Sequence, residues 1–287
     1  MARIRLKGQG IDLTTKALVM GVLNRTPDSF FDKGSYFSFD AFLRKAEELV
    51  NDGADILDVG GVKAGPGEEV SEEEELDRVV PAVEALSERF DTYISVDTWN
   101  ANVFKECLFV GACIGNDISG FSDPQYLEVA ASADAAVVAT HIRLRPRVKD
   151  PDPRYDDLLG EVSRFLVERA AMAVDAGVNP QSIALDVGFD LGKTTEQSLA
   201  LFGATERFTA LGHPLLVSAS NKGFIGEALD LEIAERREAS LSAVALCMAQ
   251  GARIFRVHDL KGTKRVVDTI SAVMDPQSWA VEAGEKV

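Results

Sequence analysis

A regular alternation of short apolar runs and longer amphipathic segments limits the folds that this chain can adopt. Eight runs of strand length are present, each followed by a segment with helical periodicity, at residues 17–23, 55–59, 92–96, 113–116, 135–139, 182–185, 214–218 and 252–257. Such alternation is typical of parallel strands joined by crossover helices. Eight units in 287 residues predict a closed (β/α)8 TIM barrel in a single domain spanning residues 1–287. No GxGxxG turn follows the first run, which disfavours an open doubly wound sheet.

Several helix boundaries are marked in the sequence. Ser71 and Glu74 have the spacing of a capping box, so we interpret the acids that follow Ser71 as part of a helix N-terminus and not as a binding patch. Long helices are expected at 161–176 and 232–250, because a glycine follows each of them as a stop signal. The second of these and a last helix near 261–274 are rich in small residues, and we expect them to form a homodimer contact.

The charge and the cysteine content exclude several classes of partner and site. The formal net charge is −16, whereas nucleic acids and anionic membranes require a basic face. Cys107, Cys113 and Cys247 show no CxxC spacing, so neither a metal site nor a disulfide framework is expected. No apolar stretch is long enough to span a membrane, and the first residues lack the apolar core of a signal peptide. We therefore expect a cytoplasmic protein with no nucleic-acid or membrane partner.

Polar side chains follow nearly every predicted strand. In a (β/α)8 barrel these positions converge on one mouth, where catalysis takes place. They are Asn24, Asp97, Asn116, Asp117, His141, Asp186, Ser220, Lys222, Arg256, His258 and Asp259. Each has an ordinary explanation when taken singly, since Asp and Asn cap helices and an isolated His usually belongs to a core. Their agreement over most of the strands favours a binding site.

The chemistry of these side chains divides the predicted mouth into two halves. Asp97, Asn116 and Asp186 offer acceptors and one amide, which suit a flat heterocycle with several N–H donors. Arg256 and His258 form a cationic pair that suits a phosphate. The sequence alone therefore predicts a ring-binding half and a phosphate-binding half.

Two further segments of the sequence contain a candidate binding lysine. Lys222 lies on the turn after the seventh strand and can serve either half of the mouth. The segment GFDLGKT at 188–194 is similar to a P-loop, but it has one residue too few between its glycines. We therefore do not expect this chain to bind a nucleoside triphosphate.

Six segments of the sequence carry a family resemblance. They are MGVLNRTPDSFFDKGSY at 20–36, DILDVGG at 55–61, SVDT at 95–98, GNDISG at 115–120, LDVGFDLGKT at 185–194 and RVHD at 256–259. In this order and on these predicted strands, they resemble the dihydropteroate synthase family. The similarity extends from about residue 18 to about residue 259. It implies a barrel enzyme that joins 6-hydroxymethyl-7,8-dihydropterin diphosphate to p-aminobenzoate and releases diphosphate, assisted by Mg²⁺.

The resemblance also implies roles for individual residues. The family's pterin-binding positions correspond to Asp97, Asn116, Asp186 and Lys222, all of which are retained. Its diphosphate-binding positions correspond to Arg256 and His258, and its Mg²⁺ position corresponds to Asn24. The two halves inferred from the residues agree with these family roles.

The departures from the family pattern lie on the side of the second reactant. The family's second loop usually reads Gly-Gly-Glu-Ser-Thr-Arg-Pro-Gly, whereas Ala64 and Gly65 stand here at the Thr and Arg positions. Lys63 restores a nearby charge, but a lysine does not reproduce the forked donor of an arginine. After the seventh strand, Asn221 and Gly223 replace the Arg and Ser of the family's Ser-Arg-Lys-Ser. A hydroxyl and a guanidinium expected near p-aminobenzoate are therefore absent from the sequence.

The sixth loop departs in the same direction. Leu191 stands where the family usually has a Phe, and Asp190 adds a negative charge near the expected p-aminobenzoate carboxylate. Loss of one transition-state donor typically lowers a rate by about 10²- to 10³-fold. We therefore predict a pterin- or aminobenzoate-like ligand, weakened affinity for the pterin diphosphate, and weak or absent synthase activity.

Three other functions stay open at this point. The chain is an active dihydropteroate synthase of folate biosynthesis if Lys63 and the arginines of 143–147 replace the missing guanidinium. Pterin-binding modules that pass a folate methyl group to a corrinoid partner share this barrel, but the Arg256 and His258 pair has no evident purpose in them. A binding protein without chemistry is the third alternative.

Overall fold

The structure, a computed structural model, describes residues 2–26, 37–65, 67 and 69–277. Its centre is a closed barrel of eight parallel strands in which each strand pairs with the next along the chain and the last pairs with the first. The strands are β3 (Leu18–Asn24), β4 (Ile56–Gly60), β5 (Tyr93–Asp97), β6 (Ile114–Asp117), β7 (Ala136–Thr140), β8 (Ile183–Asp186), β9 (Leu215–Val217) and β10 (Ile254–Val257). All eight predicted strands and the (β/α)8 TIM barrel are confirmed.

Helices follow the barrel strands and cover the outside of the barrel. They are α1 (Phe37–Asn51), α2 (Glu72–Arg89), α3 (Ala101–Phe109), α4 (Tyr126–Ser132), α5 (Leu158–Asp175), α6 (Thr195–Gly203), α7 (Thr205–Thr209), α8 (Gly223–Leu229), α9 (Arg237–Ala249) and α10 (Leu260–Met274). The Oγ of Ser71 accepts from the N–H of Glu74 at the start of α2, as its spacing predicts. Among the described residues, none of these helices is long and apolar enough to cross a membrane.

One predicted helix was wrong at its start. The sequence predicted a continuous helix over 232–250, but a short 3₁₀ turn, Ile233–Glu235, precedes α9. The backbone N–H of Glu232 donates to the Glu235 carboxylate, which closes this turn locally. The Arg236 side chain then folds back to the carbonyl of Leu231, 3.0 Å away, and the helix begins only after it.

A hairpin that the sequence reading missed closes the lower end of the barrel. Strands β1 (Arg3–Leu6) and β2 (Gln9–Asp12) are antiparallel and are joined by a tight turn at Lys7 and Gly8, both with positive φ. Leu6 is 1% exposed and belongs to the same apolar cluster as the inward-facing Ile56 at the bottom of the barrel. The lower end is therefore filled by side chains, so the opposite end remains for a ligand.

The core consists of two layers set by the two-residue period of the strands. Outward-facing residues such as Leu57 and Val59 pack against the helices, whereas Ile56 faces the barrel interior. The three cysteines are free and buried in this interior or in the layer around it. Residues 27–36 of the first predicted loop, and Pro66 and Glu68 of the second, lie outside the described residues.

Candidate active site

The candidate site is a polar layer immediately above the apolar layer of the barrel interior. Side chains on one face of a strand recur every two residues, so the residue two positions after each inward apolar residue also faces inward. The pairs are Ile56 and Asp58, Ile114 and Asn116, Ala184 and Asp186, and Ile254 and Arg256. The strand register places Asp97 beside Asn116 on the neighbouring strand. We call Asp58, Asp97, Asn116, Asp186 and Arg256 the polar floor.

Arg256 connects three strands of the polar floor. Its Nε donates to Asp58 Oδ2 at 2.6 Å, and its Nη2 donates to Asp97 Oδ2 at 2.8 Å. The Nδ2 of Asn116 approaches the same Asp58 oxygen at 3.3 Å. The Arg256 guanidinium, predicted to bind diphosphate, thus already has two carboxylate partners inside the barrel.

Asp58 is a site residue that the sequence reading did not select. It is fully buried in the middle of β4, and it bonds to both Arg256 and Asn116. An acid in the centre of an otherwise apolar strand is costly unless it is paired. That signal was present in DILDVGG, but only the closed barrel identifies Arg256 as the partner.

Burial raises the pKa of two of the acids in the polar floor. Desolvation raises the pKa of Asp97 to about 7, although the neighbouring Arg256 acts in the opposite direction. Desolvation also raises the pKa of Asp186, whose Oδ1 accepts from the N–H of Gly188 at 2.8 Å. Asp97 thus holds a proton more readily than an exposed aspartate, and its Oδ2 already accepts from Arg256.

Lys222 approaches the polar floor from the turn after β9. It occupies the N-cap position of α8, and the charges of Asp186, Asp97 and Arg256 all act on its ammonium group. Burial lowers the pKa of Lys222 relative to an exposed lysine. The four predicted pterin-binding residues therefore lie around the same end of the barrel.

His258 and Asn24 stand at the rim above this floor. The Oγ of Ser220 lies 3.1 Å from His258 Nδ1 and accepts from the His258 backbone N–H. Desolvation, together with the charges of Arg256 and Lys222, lowers the pKa of His258 to about 4. The positive charges of Arg256 and Lys222 therefore disfavour a further charge on His258, the second member of the cationic pair that the sequence predicts.

Asn24 and Asp97 face each other across a glycine. An ideal Cβ at Gly60 would lie 3.4 Å from Asn24 Oδ1 and 3.4 Å from the Cβ of Asp97. A Cβ at this position would be in van der Waals contact with both neighbours and would fill the space between them. Gly60 thus leaves room for the polar groups of the strands on either side of it.

The altered second loop is covered by the fifth loop. The Arg147 backbone N–H donates to the carbonyl of Ala64 at 3.2 Å, and its Nη1 donates to the carbonyl of Lys63 at 3.1 Å. A cavity of about 180 Å³ lies behind this contact, and its lining includes Ala64, Gly65, Arg145, Lys149, Asp190 and Leu191. Ala64 and Gly65 of the second loop and Asp190 and Leu191 of the sixth loop thus border one cavity.

Asp190 bonds to the start of α8. Its Oδ2 accepts from the N–H of Gly223 at 2.7 Å and approaches the N–H of Phe224 at 3.4 Å. An ideal Cβ at Gly223 would lie only 3.3 Å from the same oxygen. Asp190 and Gly223 are therefore mutually compatible substitutions, because a larger residue at 223 would crowd the Asp190 carboxylate.

Lys193, in the segment that is similar to a P-loop, forms hydrogen bonds with the backbone. Its Nζ donates to the carbonyls of Gly188 at 2.8 Å, Leu191 at 3.0 Å and His141 at 3.3 Å. Desolvation lowers the pKa of Lys193 to about 7. The Lys193 ammonium group is therefore held by three backbone carbonyls of the surrounding loops.

Three polar residues selected from the sequence lie outside the polar floor. Asp117 faces outward and accepts from the N–H groups of Ser119 and Phe121. Asp259 caps α10 through the N–H of Gly262. His141 is 4% exposed, and its burial lowers its pKa to about 3. Capping and core roles, which the sequence left open, therefore account for these residues.

Comparison with known proteins places this architecture in a family. Residues 20–258 match the family described as pterin binding enzyme. The dihydropteroate synthase of Bacillus subtilis is 41% identical over 274 residues, which are 95% of this chain and 94% of that protein. The inactive dihydropteroate synthase 2 of Mycobacterium leprae is 40% identical over 264 residues, 90% of this chain and 91% of that protein.

Solved structures agree with the sequence relatives. A Yersinia pestis dihydropteroate synthase with a sulfonamide drug superposes with a TM-score of 0.88 at 37% identity, covering 95% of this chain and 99% of that chain. A Xanthomonas albilineans dihydropteroate synthase with 4-aminobenzoic acid gives a TM-score of 0.88 at 35% identity, covering 95% and 98%. By its sequence and its fold, this chain belongs to the dihydropteroate synthase family of pterin binding enzymes.

Proposed function

We propose that this chain binds a reduced pterin on the polar floor and has weak or no dihydropteroate synthase activity. The observation that carries the first part is the convergence of Asp97, Asn116, Asp186 and Lys222 around one end of the barrel. The carboxyl groups accept from ring N–H donors, the amide of Asn116 donates and accepts, and Lys222 donates to a ring acceptor. Asp58 contributes by holding Arg256 and Asn116 in place.

The second part rests on the cavity beside the second loop. Ala64 and Gly65 present no hydroxyl or guanidinium to it, and Asp190 adds a carboxylate to its lining. p-Aminobenzoate carries a negative charge at neutral pH, so the Asp190 carboxylate opposes its binding. The second reactant thus lacks the hydroxyl and the guanidinium of the family's second loop and meets an added carboxylate, while Arg145, Arg147 and Lys149 also line this cavity.

The residues near the rim fit Mg²⁺ only as an ion that arrives with a diphosphate. Within the described ranges, no group of three or more His, Cys, Asp or Glu side chains is arranged to hold a metal. Mg²⁺ commonly keeps several waters and binds through few protein ligands plus substrate phosphates. Asn24 would supply one amide oxygen, and the ion would neutralise charge on the leaving diphosphate.

The test compares binding with turnover. Calorimetry measures the affinity for the pterin diphosphate with and without p-aminobenzoate and Mg²⁺, and a coupled assay measures diphosphate release. We expect pterin binding that Asp186→Asn weakens, with little or no release of diphosphate. Turnover equal to that of a normal synthase would reject the inactive assignment. Absence of pterin binding to the wild type would reject the pterin site itself.

An active synthase is the second candidate, and one contact favours it. Arg147 from the fifth loop lies on the second loop, where it bonds to Lys63 and Ala64 next to the position of the missing arginine. In this case Arg147 supplies the guanidinium from a different loop. Complementation of a strain that lacks dihydropteroate synthase distinguishes the candidates. An active synthase supports growth, and Arg147→Ala removes that growth.

We also infer that the protein forms a homodimer through α9 and α10. The two helices pack against each other on the outside of the barrel, and both carry exposed apolar side chains. Leu246 on α9 is 53% exposed, and Val273 on α10 is 74% exposed. Burial of such side chains against a second copy would remove apolar surface from water.

A further inference from the structure

The turn that carries Lys222 is held on one side by Asp190. The turn lies between β9 and α8, and Asp190 reaches it from the loop after β8. The Asp190 carboxylate accepts from the N–H of Gly223 at 2.7 Å and lies 3.4 Å from the N–H of Phe224. Hydrogen bonds that involve an ionised carboxylate are stronger than neutral ones. The position of Lys222 is therefore tied to a charged group on the neighbouring loop.

Arg236 holds the same turn on its other side. Its Nη1 donates to the carbonyls of Asn221 at 3.1 Å and Lys222 at 3.3 Å, while its Nε donates to the carbonyl of Leu231. An ideal Cβ at Gly226 would lie 2.2 Å from the guanidinium carbon. Arg236 thus packs directly on the backbone of α8, in a space that only a glycine leaves open. The turn cannot shift without breaking contacts on both sides.

The backbone of Asp190 is itself in an uncommon conformation. Its φ is 65°, in the left-handed region that few residues other than Gly, Asn and Asp adopt. Its N–H donates to the Oγ of Ser198 at 3.2 Å. A residue other than glycine adopts the left-handed conformation at some cost in conformational energy. Such residues often mark functional positions. Here the conformation aims the carboxylate at the Lys222 turn.

We propose that Asp190 is a positioning residue for Lys222, and that Asp190 and Arg236 together fix where the Lys222 ammonium group meets a bound pterin. The proposal rests on the pterin-binding function proposed above. Asp190 acts through the turn, and no contact between Asp190 and the ligand is required. The proposal also predicts that the negative charge of Asp190, and not only the shape of its side chain, affects the pKa of Lys222.

Several charged groups surround Lys222, and each must be considered. Asp186, Asp97 and Arg256 face it from the barrel strands, and Lys193 and His258 approach it from the adjoining loops. Burial lowers the pKa of Lys222, and the carboxylates oppose this effect, Asp190 most strongly among them. Replacing Asp190 with Asn therefore removes a negative charge and should lower the pKa of Lys222 further. The pKa of Lys222 thus reports the charge of Asp190, whereas pterin affinity reports the position that Asp190 gives to Lys222.

The experiment measures the reactivity of Lys222 directly. The intact protein is treated with acetic anhydride at a series of pH values, and mass spectrometry gives the acetylation rate of Lys222 in each variant. Asp190→Asn suits a left-handed backbone and keeps an oxygen acceptor, whereas Asp190→Gly suits the backbone but removes the side chain. Asp230→Asn is the matched control, because Asp230 is an exposed left-handed residue (φ 54°) at the other end of α8.

We expect the pH midpoint of Lys222 acetylation to be lower in Asp190→Asn than in the wild type or in Asp230→Asn. Calorimetry with 6-hydroxymethyl-7,8-dihydropterin should show about tenfold weaker binding to Asp190→Gly, because a charged hydrogen bond is lost. Asp190→Asn, as the conservative variant, should recover part of that affinity. Circular dichroism and thermal unfolding establish that each variant is folded.

The results distinguish a failure of this proposal from a failure of the pterin-binding function on which the proposal rests. If Asp190→Asn and Asp190→Gly both match Asp230→Asn in acetylation midpoint and in pterin affinity, Asp190 does not position Lys222. If the wild type binds no pterin but the acetylation midpoint is lower in Asp190→Asn, the proximity of Asp190 to Lys222 is supported and the pterin function is rejected. If the midpoint falls in Asp190→Asn but Asp190→Gly keeps the wild-type pterin affinity, Asp190 acts on the charge of Lys222 and not on its position, and the proposal is rejected.

Discussion

At the scale of single residues, the polar floor depends on pairing buried charges. Arg256 is shared between Asp58 and Asp97, and Asp58 also receives the amide of Asn116. A buried charge that loses its partner is destabilising, because the remaining group is still kept from water. The floor is therefore both a candidate binding surface and a contributor to stability, and the two roles can be separated by experiment.

Asp58→Asn is expected to lower the free energy of unfolding by about 1.5 to 3 kcal/mol, because a hydrogen bond to a charged group is lost inside the barrel. Urea unfolding measures this change. Asp134→Asn is the control, since Asp134 pairs with Arg5 on the surface with its side chain 54% exposed. An exposed pair contributes at most about 1 kcal/mol. Equal effects of the two substitutions would contradict the pairing argument.

His258 should report the arrival of an anion at the rim. Its pKa of about 4 leaves it neutral at pH 6, and a bound diphosphate would raise that pKa by attraction of the positive form. Binding of inorganic diphosphate at pH 6 should therefore take up more protons in the wild type than in His258→Asn, because protons released by diphosphate itself are common to both. Calorimetry in two buffers of different ionisation enthalpy measures the net uptake. Equal uptake by the two proteins would assign the protons to another group.

Sequence reasoning reached some of these residues and missed others for a physical reason. Asp97 and Asp186 end their strands and Asn116 lies one residue before the end of β6, so their place at the mouth followed from the position of each apolar run. Asp58 lies in mid-strand, and its role depends on Arg256, a residue almost two hundred positions away that only barrel closure brings near. No local sequence pattern indicates a pairing of this kind.

At the scale of the elements, the strands were predictable because parallel strands buried on both faces are continuous apolar runs. The hairpin β1–β2 was not, because its short strands are broken by Lys7 and Gly8 and expose one face. The start of α9 was also misjudged, because helical periodicity cannot reveal that the Arg236 side chain turns back to Leu231. The barrel end beneath it therefore decided the hairpin, and local side-chain contacts with the backbone decided the start of α9.

The hairpin provides a test that separates stability from binding. Leu6→Ala should lower the free energy of unfolding by about 2 to 5 kcal/mol, because it opens a cavity under the barrel. Pterin affinity should stay unchanged in the folded protein, since the polar floor lies on the far side of the apolar layer. Urea unfolding and calorimetry measure the two quantities. Gln9→Ala, at an exposed hairpin position, serves as the control.

At the scale of the whole molecule, barrel closure could be predicted from the number and spacing of the strands. The association of two copies could not be predicted in this way, because the outer faces of the helices show no comparable sequence pattern. Leu246 and Val273 are exposed on adjoining helices, and their pairing with a second copy is an expectation about the assembled protein.

Sedimentation equilibrium should give the mass of two chains for the wild type. The double variant Leu246→Glu and Val273→Glu should shift the equilibrium to one chain, because charges would be buried at the contact. Val167→Glu on α5 is a control, since that side chain is 49% exposed on a different face. A wild-type mass of one chain would reject the homodimer.

The hairpin under the barrel has one more consequence. Because Ile4, Leu6 and Leu13 fill the lower end, any two ligands must enter and leave through the same opening. The polar floor lies directly above these apolar side chains, so a ligand bound there can leave only through the mouth. Any molecule that later binds above such a ligand would have to depart before it.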